Sequence, residues 1–186
     1  MMTPAYIGGT ELLDPVQLLT RLGVQGGQHV ADFGCGVTGH FILPAARMVG
    51  SEGRAYAVDV QQSVLRAVED RATQEGLTNL EVVWSDVERM GATRIPAASL
   101  DAVLIVNTLF LTSKRDRVLA EAARLLKSGG SVLIVEWKPG TSAVGPALHQ
   151  RIGHDAIRTA ARSAGFAERE AFDAGKYHFG LVFTKN

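Results

Sequence analysis

Apolar and polar positions along this chain follow two alternating periods. Short apolar runs at 29–33, 55–60, 80–86, 100–108 and 131–137 are separated by stretches whose apolar residues recur three and four apart. Runs of that length bounded by turn residues predict buried strands, and the three-and-four spacing predicts amphipathic helices. After the first strand, Ile42, Ala45, Ala46 and Val49 share one helix face, with Pro44 early enough for the first turn and Gly50 as the stop. A second stripe holds Val64, Leu65, Val68 and Ala72 and ends at Gly76. A third holds Val118, Leu119, Ala122, Leu125 and Leu126, opened by Ser113 with Asp116 three residues on and closed by Gly129-Gly130. The last holds Ala156, Ile157, Ala160, Ala161 and Ala164, ended by Gly165.

The flanks complete the pattern. Residues 1–27 form a lead-in, with a helix from Thr10 as N-cap through Leu12, Leu13, Val16, Leu18, Leu19 and Leu22, interrupted at Asp14-Pro15. Residues 87–99 predict a polar loop, and 138–152 a loop with one short turn. The last twenty residues predict two extended segments turning near 173–175, an antiparallel hairpin. Five strands alternating with helices imply an α/β fold, a parallel sheet covered on both faces, in a single domain over 1–186. Ligands of such sheets bind beyond the carboxyl ends of the strands, beside the first. Asp32, Asp59, Asp86 and Asn107 all fall at or near such ends.

Composition narrows the classes. With 46% apolar and 20% charged residues the chain is an ordinary globular one, and 19 basic against 19 acidic residues predict neither nucleic acid nor an anionic membrane as partner. One cysteine excludes an internal disulfide and a cysteine-based metal site, and no metal is expected. The opening MMTPAYIGG shows no leader pattern and no run approaches a membrane span, so a cytoplasmic location is expected.

The candidate chemistry sits in HVADFGCGVTGHF, residues 29–41, where a strand runs into Gly34, Gly36 and Gly39 and then a helix. Such a junction aims backbone N–H groups at open space, and glycines let a ligand approach the backbone. The glycine spacing also fits a dinucleotide fingerprint. Asp32, two residues before the first glycine, would repel a pyrophosphate and attract an ammonium group.

The stretch resembles motif I of the class I S-adenosylmethionine-dependent methyltransferases, with Thr38 where many members have glycine. AYAVDV is similar to the ribose-binding strand of that family and WSDVE to its adenine-binding block. LDAVLIVNTLF is similar to its fourth-strand motif, and LLKSGGSVLIVEW to its Leu-Lys-Pro-Gly-Gly block with Ser128 for proline. The resemblance covers nearly the whole chain and is nearest the small quinone-methyltransferase-like branch. It implies a Rossmann-like three-layer sandwich with a mostly parallel seven-stranded sheet, order 3-2-1-4-5-7-6. It also implies S-adenosylmethionine as cofactor and a small-molecule methyl acceptor. Asp59, 25 residues after Gly34, would bind ribose hydroxyls, and Asp86 an adenine amine. Val60 and Val87 would flank the purine, and Asp32 would meet the methionyl ammonium. Gly34, Cys35, Gly36, His40 and Asn107 complete the expected cofactor contacts, His40 being equally suited to capping its helix.

No catalytic residue is assigned. His149, Arg151, Tyr177, His178, Tyr6 and Trp137 are acceptor-side candidates that fit packing or surface roles better. Two rival functions stay open at this point. One is a nicotinamide-dependent Rossmann oxidoreductase, from the glycine spacing, and the other is a non-catalytic cofactor-binding domain acting through protein contacts.

Overall fold

The structure is a computed structural model that describes residues 12–140 and 144–186. Along the chain come α1 (Pro15–Leu22), β1 (His29–Phe33), α2 (Ile42–Val49), β2 (Arg54–Asp59), α3 (Gln62–Gln74) and β3 (Leu80–Trp84). They are followed by β4 (Leu100–Val106), α4 (Arg115–Leu125), β5 (Leu126–Trp137), α5 (His154–Ser163), β6 (Phe166–Ala174) and β7 (His178–Lys185). All seven strands form one sheet in the order β3-β2-β1-β4-β5-β7-β6, the order the family resemblance implies. The first five run parallel, and β7 pairs antiparallel with both β5 and β6.

Alternation along the strands builds two cores. On one face Val30, Ala57, Leu104 and Val135 pack against Leu19 of α1, Ile42 of α2 and Val68 of α3. On the other, Phe33, Val58, Ile105 and Ile134 pack against Leu119 of α4 and Ile157 of α5. Both faces being covered, the central strands carry apolar residues at nearly every position. β1 lies between β2 and β4, with Asp32 level with Ala57 and Leu104. The chain order reverses there, which opens a crevice at the carboxyl ends.

Three local details depart from the sequence pattern. The expected N-cap Thr10 lies outside the described residues, and α1 starts at Pro15, where Asp14 accepts from Val16 and Gln17 N–H at 2.9 and 3.1 Å. Proline at the first helical position costs no hydrogen bond, so Asp14-Pro15 opens α1, and the expected helix before it begins outside the described residues. α4 is capped at Lys114, whose N–H meets Thr112 Oγ1 at 2.9 Å, not at Ser113. Finally, α4 ends at Leu125, before the glycines, because Leu126 already pairs with Leu100. Register then jumps to Ala102 opposite Ser131, and residues 127–130 bulge out.

Behind the crevice, Glu121 of α4 is fully buried and holds the loop after β3. It accepts from Gly91 N–H at 2.8 Å and Thr93 N–H at 3.1 Å and pairs with Arg124 at 2.7 Å. Burial acts to raise its pKa, but these donors outweigh it and bring the carboxyl down to about 2.

Candidate functional site

The glycine loop is pinned directly to the neighbouring strand. Gly34 and Cys35 N–H donate to Val58 O at 2.8 and 3.2 Å, and Gly39 N–H donates to Gly36 O at 3.1 Å. Gly34 has φ +78°, and a Cβ there would lie 2.8 Å from Thr108 Oγ1. Two independent constraints therefore require glycine. Gly36, at φ +65°, has open space where a Cβ would point.

The loop borders a cavity of about 410 Å³, within the range of small-molecule sites. Strand ends arranged around the switch point supply its walls. β1 contributes Gly34, β2 Asp59 and Val60, and β3 Asp86 and Val87 through the turn that follows it. The segment after β4 adds Asn107, Thr108 and Leu111. A second crevice along β3 shares Val60, Ser85 and Asp86 with it. Of the sequence candidates, Gly34, Asp59, Val60, Asp86, Val87 and Asn107 thus meet at one cavity.

The two acidic walls are built alike. Asp59 Oδ1 accepts from Gln61 N–H at 2.9 Å and Asp86 Oδ1 from Glu88 N–H at 3.0 Å, so each carboxylate is oriented by its own following turn. The Oδ2 of each makes no hydrogen bond to the described residues and is open to a ligand donor. Between them Trp84 Nε1 donates to Val60 O at 2.9 Å, tying the ends of β2 and β3 together.

The other candidates are not on the cavity wall. Asp32 is 2% exposed, and its Oδ2 has no hydrogen-bond partner among the described residues. Burial first, and the charge of Asp59 second, push its pKa up to about 7. A buried carboxylate with an unpartnered oxygen beside the loop fits a ligand bearing an ammonium group and opposes a pyrophosphate. Cys35 is buried and its thiol pKa is raised by that burial and by Asp32 and Asp59, so it is held as the unreactive thiol. His40 faces the lead-in instead: its Nε2 lies 2.9 Å from Leu13 O and its ring meets Phe41 edge-on. Tyr6 lies outside the described residues.

Residues far apart in the chain also shape the site. Asn107 has φ +52°, a left-handed conformation that asparagine tolerates better than most residues. Its amide nitrogen lies 3.2 Å from Nε2 of His178, which is 1% exposed and packs on Trp137 with ring centres 4.1 Å apart. Burial, with Arg151 and Lys138 nearby, pulls the His178 pKa down to about 4. Arg151 organises the loop after β5, donating to the carbonyls of Lys138, Gly140, Val144 and Pro146. Glu136, an acid inside an otherwise apolar strand, was not a sequence candidate, and that interruption is the signal that could have found it. Among the described residues there is no cluster of three metal-ligating side chains and no helix long and apolar enough to cross a membrane.

Residues 30–130 match the methyltransferase domain family. A ubiquinone/menaquinone biosynthesis C-methyltransferase of Cupriavidus necator is 30% identical over 167 residues, covering 84% of this chain and 67% of that protein. The chain spans about half to two thirds of the length of the curated relatives it matches. Among solved structures, an S-adenosylmethionine-dependent methyltransferase from Aquifex aeolicus superposes with a TM-score of 0.87 at 26% identity, over 97% of this chain and 94% of its own. The [4+2]-cyclase SpnF shares the fold alone, with a TM-score of 0.77 at 19% identity over 92% and 80% of the two chains. The chain therefore belongs to the methyltransferase domain family, as a class I S-adenosylmethionine-dependent member similar to the quinone C-methyltransferases.

Proposed function

We propose that this protein methylates a carbon nucleophile on a small, largely apolar molecule. The observation that carries the reading is the convergence of Gly34, Asp59, Asp86 and Asn107 on one cavity, with Asp32 buried beside it. S-adenosylmethionine, when bound, supplies a methyl group already activated by positive sulfur.

The protein's part is binding and orientation. Asp59 would accept from the vicinal ribose hydroxyls through its open oxygen, each charge-assisted bond being worth about 1.5–3 kcal/mol. Asp86 would accept from the adenine amine, and Val60 and Val87 would cover the purine. The Gly34–Gly36 backbone would lie close to the methionyl part, whose ammonium Asp32 would stabilise. Holding nucleophile and methyl in near-attack geometry contributes up to about 7–11 kcal/mol, so the site needs no conspicuous base unless the acceptor arrives protonated. Leu111, 71% exposed, and Val60, 59% exposed, give the cavity mouth an apolar rim. That rim, with the carbon specificity named for the Cupriavidus necator relative, supports a flat apolar acceptor over a charged polymer.

Calorimetric titration with S-adenosylmethionine, S-adenosylhomocysteine and NADH tests the cofactor reading. Binding of the two sulfur compounds and not NADH is expected, and binding of NADH alone would overturn it. Mass spectrometry of a panel of phenolic and quinol acceptors then asks whether a methyl is gained on carbon. Transfer only to oxygen or nitrogen would refute the carbon assignment.

A further inference from the structure

Glu136 interrupts the apolar strand β5 and is completely buried. An isolated buried carboxylate is costly unless donors satisfy it. Here backbone donors satisfy one oxygen: Oε1 accepts from Thr108 N–H at 3.1 Å, Leu109 N–H at 2.7 Å and Phe110 N–H at 3.3 Å, while Oε2 has no hydrogen-bond partner among the described residues. These groups open the short 3₁₀ turn Leu109–Leu111, which receives no cap from the side chain of its own Thr108. The acceptor comes instead from the neighbouring strand, 26 to 28 residues away. The turn is also held from α4, where Arg115 Nε donates to Leu109 O at 3.2 Å.

The segment so held is a wall of the cavity. Asn107, Thr108 and Leu111 all line it. Thr108 packs against Gly34 and donates its hydroxyl to Phe33 O at 3.2 Å or Val106 O at 3.0 Å, which links the segment to the glycine loop. A shift of this backbone would therefore move the cavity wall against the loop opposite. Glu136 itself does not line the cavity, so it can act on a ligand only through the segment.

We propose that Glu136 is a positioning residue for the cofactor cavity: its carboxyl oxygen Oε1 grips the backbone after β4 and sets Asn107, Thr108 and Leu111 in the shape the ligand requires. The proposal rests on reading that cavity as the S-adenosylmethionine site. Acceptor geometry, not charge, is the requirement, since all three donors are neutral N–H groups converging on one oxygen.

Glu136→Gln keeps an acceptor oxygen on a side chain of the same length, whereas Glu136→Ala removes it. Titrated calorimetrically with S-adenosylhomocysteine, the Gln variant is expected within about threefold of the parent, and the Ala variant about tenfold weaker or more. Such rescue by glutamine would not follow from a need for the buried charge. Equal affinity of the parent and the Ala variant, or an equal loss in both variants, would overturn the proposal. Amide hydrogen exchange on the parent protein covers the case in which the Ala variant does not fold. The Thr108, Leu109 and Phe110 amides are expected to be protected without ligand, about a hundredfold slower than the exposed Ser51 and Glu52 amides of the loop before β2, and unchanged by S-adenosylhomocysteine. Exchange at the loop rate would overturn the grip. A parent that fails to bind S-adenosylhomocysteine would instead refute the cofactor reading itself, so the two failures are distinguishable.

Discussion

The amide nitrogen of Asn107 and Nε2 of His178 lie 3.2 Å apart, joining the end of β4 to the start of β7. An amide nitrogen only donates, so the imidazole accepts and is neutral. Burial favours the same state, with the pKa of His178 brought down to about 4. The histidine therefore holds Asn107, in its left-handed conformation, as a neutral acceptor and not as a charge.

The pH dependence of stability follows from that pairing. The folded pKa lies below the ordinary value of 6.5, so the unfolded chain binds the proton more readily between pH 6.5 and 4. The stabilising contribution is complete above about pH 6.5, falls as pH drops through that window, and levels off below about 4. Melting temperatures of the parent and His178→Gln across pH 4–7 check this. The variant is expected to show the flatter curve, and parallel curves would refute it.

Asp32 carries the opposite linkage for ligand binding. Its ligand-free pKa is raised to about 7, and an ammonium beside it would favour the charged form. Affinity for S-adenosylhomocysteine is expected to fall by about tenfold per pH unit below pH 7 and to be flat just above it. Calorimetry in two buffers of different ionisation enthalpy should register proton release on binding at pH 6. Asp32→Asn should abolish both effects, and an unchanged pH profile in that variant would separate Asp32 from the ligand.

Asp59 offers a cleaner binding test because it is only partly buried and its carboxylate accepts, among the described residues, only from Gln61 N–H. Asp59→Ala is expected to weaken S-adenosylhomocysteine by at least about 2 kcal/mol, roughly thirtyfold. Melting temperature should shift little. An unchanged dissociation constant would rule out the ribose assignment.

Gly34 and Gly36 separate two costs of a side chain in the loop. Gly36→Ala meets nothing within 4 Å and should cost only the backbone strain of its positive φ, about 1 kcal/mol. Gly34→Ala adds a clash with Thr108 Oγ1 and should cost about 2–3 kcal/mol. Thr108→Ala removes the opposing atoms, so a double-mutant cycle in denaturant should recover part of the Gly34 penalty. Strict additivity would mean that the loop and the segment after β4 are not in contact.

How much of this was legible in the chain depended on whether the signal was local. Strand and helix periods, glycine stops and the acids at or near the ends of β1, β2 and β3 are set by a few neighbouring residues, and they already implied the parallel core and the end of the sheet where a ligand would lie. Motif resemblance supplied the remaining strand order. Boundaries were less legible where tertiary pairing overrode a local stop, as when Leu126 joined Leu100 ahead of the two glycines. The roles of Glu136 and His178 were decided only in three dimensions. Each lies far along the chain from the residue it holds, and nothing in the local pattern of β5 or β7 says which backbone a buried polar group will face. His40 shows the converse: it stands beside the glycine loop in sequence, yet packing turns its ring to the Leu13 carbonyl. Sequence alone determined the elements and the acids at their ends, because these follow from short-range periodicity. Tertiary structure alone decided which buried groups hold the cavity wall, because a desolvated polar atom must find its partner wherever the fold brings one.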